Sequence, residues 1–368
     1  LIFKKYIWGY IMTLNKYSKY IEYLLITIVL IIGVITSMYK IKHPFWDKQP
    51  VMRQNNIKLG KITRTNPKFN IKLHSNQKLY INNYPYAKIY NFLNSNFSNN
   101  YNINEKYFNY IYSKPKSFNV VLEQEKKIIG FILTYPIKIT INNKVIDFYY
   151  VDYLCIEARL RNNYIATIMI ASLLNLIPNH PFLFQIDGHK LPFLPFLNSN
   201  FYIKDLSYVK PNKLEKVKSV TPFNFYKYYH YINNLLKRHK LYHLYSKKEF
   251  YELFLKDKIL DLYIIPNTSG LDTCIIGKKN IYTIHDKVYN SFEIDLLIGE
   301  TRHSTEVYDH LSNYLKSLGY NYIVIAGIST NFAFIKDNDF ITANSLRFYT
   351  YNYNIPILNQ NDFSLSIN

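Results

Sequence analysis

The chain has 368 residues and a formal charge of +20, with 48% hydrophobic residues, 38 Tyr, 24 Phe and two Cys. That apolar content supports one large domain or two fused ones and excludes a disordered chain. Cys155 and Cys274 lie far apart, which excludes a disulfide framework or a Cys-rich zinc site and fits a reducing compartment. The charge admits an anionic ligand or a nucleic acid, but the lysines are scattered without a long basic block. They read as solvated surface, and no nucleic-acid partner is expected.

In chain order, the uncharged run Tyr23–Tyr39 (YLLITIVLIIGVITSMY) comes first. It reaches the lower length limit of a membrane span, about 17 residues. Lysines flank it on both sides and no small-residue cleavage site follows. Residues 1–42 are therefore read as a hydrophobic segment and candidate membrane anchor. The sequence opens on Leu1, and a start at Met38 would remove the span. Next, HPFWDKQPV (His43–Val51) spends a Trp, two Pro and a His in a chain otherwise dominated by Lys, Asn, Ile and Tyr. Such a rigid aromatic clip requires a local reason.

Residues 66–82 are polar and read as a loop. YAKIYNFLNSNF and NEKYFNYIYSKP have helical spacing, the second ending at Pro115. FNVVLEQ, IIGFILTYP and KITINNKVIDFYYVDYLCI read as strands linked by EKK and NNK turns, and an apolar helix follows over residues 163–177 before Pro178. The pattern restarts near residue 215 with two helices, the second opened by Ser246 and Glu249 in a capping box. Strands are expected at DLYIIP, DTCIIGK and NIYTIHD, then a helix over residues 305–318 and strands at YNYIVIAGI and SLRFYTYNY. Meander, strand and helix, repeated, indicate an α+β chain of two similar halves.

The strongest local signal is VDYLCIEARLRNNYIATIMI, Val151–Ile170: a strand, a short basic loop, then a helix. Amide groups freed at a helix N-terminus can hold phosphate oxygens, and Arg159 and Arg161 add positive charge. This is how acyl-CoA-dependent N-acyltransferases hold a pyrophosphate, although many strand–loop–helix junctions carry an Arg for no such purpose. His303, Glu306 and His310 share a helical face, yet without HExxH spacing they read as polar surface and no metal is expected. His285–Asp286 reads as a turn, since neighbours on a strand face opposite ways.

Over residues 43 to 368 the sequence resembles the glycylpeptide N-myristoyltransferases. FWDKQPV, IIGFILTYP, VDYLCIEARLRNNYIA, NNLLKRHKLYHLYSKKEFYELF and LRFYTYNY carry the likeness. The resemblance implies two fused GCN5-related acetyltransferase-like halves around a saddle-shaped mixed sheet. Residues 43–212 would form an acyl-CoA-binding half and residues 213–368 a peptide-binding half with the catalytic C-terminus. It implies an N-acyltransferase that moves myristate from myristoyl-CoA to the N-terminal glycine of Gly-initiated peptides or proteins. A monomer is expected, cytoplasmic or anchored through residues 23–39. The base implied is the α-carboxylate of Asn368, with Tyr153 and Leu154 amides as the oxyanion hole. His43, Phe45, Trp46, Tyr153, Leu154, Cys155, Ile156, Arg161, Asn162, Asn163, Tyr164, Ile165 and Ala166 would hold myristoyl-CoA, with Phe45 and Trp46 walling it. Asp152, Phe97, Ile186 and Gly188 would contact the peptide.

The departures from the family are specific. The family's Asn is Asp152, its His-Lys pair is Glu157–Ala158, and its phosphate loop reads Asn162, Asn163, Tyr164. Its acidic peptide loop is SNNYNIN, and a glycine-rich motif with a peptide-contacting Asp is FITANS, with Ala343 in place of the Asp. Both losses remove negative charge that would hold a substrate Lys. The alternative reading is therefore a catalytically weakened acyl-CoA or acyl-peptide binding protein on the same scaffold.

Overall fold

The computed structural model describes residues 23–30, 43–54, 58–63, 68–97, 101–161, 163–210, 216–266, 272–284, 287–299 and 303–365. The chain divides into two compact units, Leu1–Lys48 and Gln49–Asn368. In the first, residues 23–30 are helical (α1) and Trp46–Lys48 forms a 3-10 turn. The Trp46 N–H donates to Nδ1 of His43 at 3.2 Å, and the Phe45 and Trp46 rings meet edge-on at 4.9 Å. Among the described residues no helix is long and apolar enough to cross a membrane. Most of the expected span lies outside them.

The second unit runs β1 (Gly60–Lys61), β2 (Gln77–Ile81), α2 (Tyr86–Asn96), β3 (Tyr101–Asn102), α3 (Glu105–Tyr112), β4 (Phe118–Gln124), β5 (Lys127–Ile141) and β6 (Lys144–Ile156). Then come α4 (Ile165–Leu176), β7 (Phe182–Asp187), β8 (Leu197–Asp205), β9 (Lys218–Ser219), α5 (Phe225–Leu236), β10 (Leu241–Tyr242), α6 (Lys247–Tyr251) and β11 (Asp261–Ile265). The chain closes with β12 (Thr273–Ile284), β13 (Lys287–Ile298), α7 (Ser304–Ser317), β14 (Tyr322–Ala326), α8 (Asn331–Asp337), β15 (Ile341–Tyr351), β16 (Tyr353–Asn354) and β17 (Phe363–Ser364).

Among the described residues, β1 and β16 pair as a small ribbon and the other strands form one 15-stranded mixed sheet. Its long path is β17-β10-β5-β6-β7-β15-β8-β14-β13-β12-β11-β9. The strand–helix–strand unit β6–α4–β7 recurs as β13–α7–β14, each with a parallel strand pair. The fold is thus α+β, with a strand–helix–strand unit that occurs twice. One large core gathers Phe108, Phe131, Phe148, Phe250 and Phe348. A second core under α7 and α8 gathers Phe292, Leu311, Ile323 and Phe334.

Four expectations are corrected here. Residues 66–82 are not all loop: Gln77–Ile81 is a strand that pairs with β4. IIGFILTYP and KITI form one strand, because Pro136 falls beyond the last β4 partner at Thr134 and before β10 joins at Thr140. A missing amide is tolerated on such an open edge. DTCIIGK and NIYTI are likewise one strand, β12. His310, expected on the polar surface, is buried, with its Nε2 3.6 Å from Glu306. No cluster able to hold a metal occurs among the described residues.

The EKK and NNK turns are two-residue hairpin loops, Gln124↔Lys127 and Ile141↔Lys144, with positive φ at both central residues. Asn142 and Asn143 tolerate that conformation, whereas Glu125 and Lys126 hold it at φ 51° and 64° against side-chain crowding. Lys126→Gly is therefore expected to stabilise the protein by about 0.5–1 kcal/mol, read as a higher urea midpoint at unchanged slope. A lower midpoint would contradict the turn assignment.

Candidate active site

Strands β6 and β7 pair in parallel only from Tyr149↔Phe182 to Val151↔Phe184. Beyond Val151 the strands separate, β6 running on to Ile156 and β7 to Asp187. At the same place β6 carries one residue more than β5: Phe131 faces Cys155 while Leu133 faces Asp152. The extra residue makes a bulge at Tyr153–Leu154, and Tyr153 takes the left-handed conformation, φ 50°. Such a conformation is costly for a bulky residue and marks a place worth inspecting. Here Oδ1 of Asp152 accepts the Tyr153 N–H at 2.8 Å.

A cavity of about 580 Å³ opens at this wedge. Asp152 and Tyr153 enter it from β6, Gln185 and Asp187 from β7, Lys278 and Tyr282 from β12, Glu293 from β13, and Ala343 and Asn344 from β15. Phe97, at the end of α2, closes one side with its ring 5.4 Å from that of Tyr153. Of the residues expected at the peptide site, Asp152 and Phe97 line this cavity. Ile186 sits between the lining residues Gln185 and Asp187, and Gly188 turns the chain after them at φ 72°, its amide donating to Ser345 O at 2.9 Å.

Ala343 lines the cavity too, and the cavity's charge comes from other residues. Asp152, Asp187 and Glu293 all face it, with Lys278 as their cation. The buried Lys278 ammonium lies 3.5 Å from Asp295 and 3.8 Å from Glu293, and 4.9 Å from the centre of the Tyr107 ring. Burial alone would lower the lysine's pKa, but Asp295, Glu293 and Asp152 outweigh it and hold it above the usual value. Burial pushes the Asp152 carboxyl up to about 6, against the opposing pull of the Tyr153 amide and Lys278. Asp187, at the exposed mouth, is raised by desolvation and by its neighbours Glu293 and Asp152. Tyr107, Tyr135, Tyr150 and Tyr153 are raised mainly by burial and so stay neutral hydroxyls at pH 7. Burial pushes the Cys155 thiol up to about 12, so it is no thiolate nucleophile.

Sequence reasoning missed Asp187, Lys278 and Glu293. They come from three strands, and no spacing rule joins them.

Several of the expected cofactor residues follow the bulge along the chain. After the buried Cys155 and Ile156 the chain makes a 3-10 turn, Ala158–Leu160, and enters α4 through Tyr164, exposed and left-handed at φ 58°. Ile165 packs inward beneath Gly130, and Ala166 is half-buried. The loop's two cations are engaged within the protein. Arg159 pairs with Glu157 at 2.5 Å, and Arg161 donates to Asn96 O at 2.6 Å and Ile156 O at 3.4 Å. Asn163 and Leu154 are exposed. Asn162 and Asn368, and so the chain-end carboxylate, lie outside the described residues, as do His285 and Asp286. His43, Phe45 and Trp46 belong to the first unit.

Comparison with known proteins agrees with this geometry. Residues 64–177 match the family profile described as Myristoyl-CoA:protein N-myristoyltransferase, N-terminal domain. No curated protein matches the chain by sequence. The chain is similar in structure to a Saccharomyces cerevisiae N-myristoyltransferase with bound myristoyl-CoA, TM-score 0.71 at 14% identity, covering 86% of this chain and 94% of that one. A second such structure from the same organism, also with bound myristoyl-CoA, gives TM-score 0.72 at 15% identity over 87% of this chain and 92% of that one. Residues 64–177 thus match the N-terminal domain of the N-myristoyltransferases, and the chain shares the fold of the yeast N-myristoyltransferases.

Proposed function

We propose that this protein is an acyl-CoA-dependent N-acyltransferase that moves a myristoyl-length acyl group onto the N-terminal glycine amine of peptides or proteins. The observation that carries the reading is the β6–β7 wedge. A bulged strand end meets a cavity there, and β6 leads on to the N-terminus of α4, so a thioester laid along β6 would present its carbonyl at Tyr153–Leu154. The yeast relatives hold myristoyl-CoA on this fold. Chemically, α4 supplies amides for phosphate oxygens, and the bulge supplies donors where negative charge develops. The acidic cavity suits an incoming ammonium. The chain-end carboxylate of Asn368 as base rests on the family resemblance. Two free, buried cysteines fit a reducing compartment such as the cytoplasm.

The second reading, an acyl-CoA or acyl-peptide binder with weakened catalysis, is favoured by one observation. Arg159 and Arg161 are spent on protein partners rather than held open for phosphate. Calorimetry with myristoyl-CoA, followed by mass spectrometry of Gly-initiated peptides incubated with the protein and myristoyl-CoA, separates the two. Binding in the micromolar range or tighter together with a peptide mass gain of one acyl group is expected. Binding without acylation favours the binder, and no binding overturns both.

A further inference from the structure

We propose that the α5–α6 face is a docking surface for an anionic phospholipid membrane, with the ring of Phe223 entering the headgroup region. The inference stands apart from the acyl-transfer reading and rests on another part of the fold. Phe223 lies in the turn between β9 and α5 and is 101% exposed, so its whole ring projects into water. Tyr226, on the first turn of α5, and Tyr251, at the end of α6, are 55% and 48% exposed. Both rings stand edge-on to the buried Phe225, at 5.4 and 6.0 Å. Three exposed aromatic residues therefore lie about one buried anchor. Such clustering marks an interaction site, whereas apolar residues scattered singly do not.

The turn holds Phe223 in place rather than leaving it on a loose strand. The Thr221 N–H donates to Oδ1 of Asn224 at 2.7 Å, and the Asn224 N–H donates to Thr221 O at 3.2 Å. Pro222 lies inside this closed turn and fixes its own φ. Little ordering entropy is then lost when the ring leaves water. The surrounding charge has one sign in excess. Lys247 places its ammonium 4.5 Å over the Tyr226 ring, Lys248 follows it, and Lys218 sits on the strand that leads into the turn. Lys218 and Lys247 have no ion-pair partner among the described residues, and Lys248 has only a 3.9 Å surface contact with Glu252, a kind of pair that is worth little. The nearby carboxylate of Asp272 is already taken by Lys227 at 2.8 Å and the Tyr228 hydroxyl at 2.9 Å.

Spare ammonium groups beside exposed aromatic rings match one environment closely. At a membrane surface the headgroup phosphates are negative and the layer beneath them is apolar. Lysine stems lie along the apolar boundary while their ammonium groups reach the phosphates, and Tyr rings settle at headgroup level. A protein partner or a second copy would need apolar surfaces that meet over a wide area. Here the apolar part is a projecting point. Single-stranded nucleic acid needs a stacking platform and a track of cations, and three lysines around one tip make no track. None of these residues lines the β6–β7 cavity, so a docked membrane leaves the candidate site's own residues untouched.

The test titrates the full chain with vesicles of phosphatidylcholine alone and of phosphatidylcholine mixed with phosphatidylserine. Phe223→Trp reports on the tip itself, its emission read as the difference from the native chain, which carries Trp8 and Trp46. A blue shift and quenching by lipids brominated along the acyl chain are expected on the anionic vesicles and not on phosphatidylcholine alone. The readout is local, so vesicle binding through residues 23–39 does not produce it. Added to Phe223→Trp, Lys218→Gln and Lys247→Gln should each lower the equilibrium constant read from the shift about fivefold. All three replaced side chains are exposed, and the unfolding midpoints should match that of the native chain. Unchanged emission at position 223 on anionic vesicles overturns the proposal, and so does an equal shift on phosphatidylcholine. A shift produced by single-stranded RNA, or by raising the protein concentration without lipid, while vesicles have no effect, assigns the face to nucleic acid or to a second copy instead. No acyl-CoA enters the test, so failure of the acyl-transfer reading leaves its result standing.

Discussion

Lys278→Met is expected to lower unfolding stability by about 3–5 kcal/mol at pH 8, the range for removing one partner of a buried ion pair. The ammonium it removes lies 3.5 Å from Asp295 and 3.8 Å from Glu293, and the side chain is only 3% exposed. Met fills the space but leaves both carboxylates buried without their cation, and Asp152 loses the charge that restrains its pKa. The pH dependence has a definite sign. Carboxyls raised above their unfolded values near 4 contribute stability present below about pH 4 and lost as pH rises through the folded value. The deficit should therefore shrink as the buffer is taken from pH 8 to pH 5, because Asp152, already raised to about 6 by burial and now without the opposing pull of Lys278, protonates. Urea unfolding at the two pH values measures it. Equal stability of variant and native protein at pH 8 would show that the ammonium is not what neutralises this cluster.

The same lysine shows why part of the fold was legible in the sequence and part was not. The helices at Tyr86–Asn96 and Glu105–Tyr112 and the strand Phe118–Gln124 carry their own periodicity and stop signals, so local reading finds them. The Ser246–Glu249 capping box forms as read: Ser246 Oγ accepts the Glu249 amide at 3.1 Å, and the Glu249 carboxylate accepts from the Ser246 backbone amide. The same carboxylate also pairs with His243 at 3.2 Å and Lys114 at 3.8 Å. Strand β12 reads as two pieces because Lys278, Lys279 and Asn280 look like a solvated turn. Lys278 and Asn280 are buried only because Glu293 and Asp295, on the next strand, neutralise and bond them. Strands β7, β8 and β13 escaped notice for a related reason. They are interior strands, paired on both sides; β7 and β8 lack a clean polar alternation, and in β13 the alternating Glu293 and Asp295 are buried against Lys278 instead of facing solvent. The acidic cavity is a further step removed, since Asp152, Asp187 and Glu293 meet only where β6 and β7 part.

Gly130 shows the opposite case, a residue whose meaning is visible in sequence and whose reason appears only in the packing. It stands in IIGFILTYP, on β5 between Leu122 of β4 and Ile156 of β6. A Cβ there would lie 3.2 Å from Met169 Sδ and 3.3 Å from both Ile156 Cδ1 and Ile165 Cγ2. Two of those atoms belong to the first turns of α4, so the glycine lets the start of that helix settle directly on the sheet. Gly130→Ala requires shifts of a few tenths of an ångström, mostly from flexible side-chain ends, and should cost under about 1 kcal/mol. Gly130→Val adds two methyl groups aimed at Ile165 and Met169, and overpacking of this kind costs about 1–3 kcal/mol. The helix start is the element assigned to the phosphates of acyl-CoA, and geometry there tolerates little error, since a displacement of about 1 Å can cost on the order of 100-fold. Myristoyl-CoA Kd is therefore expected to rise at least about tenfold in Gly130→Val and by less than threefold in Gly130→Ala, measured by calorimetry below the unfolding temperature of each variant. If the valine variant loses stability as expected yet binds myristoyl-CoA with native affinity, the start of α4 is not where the cofactor docks.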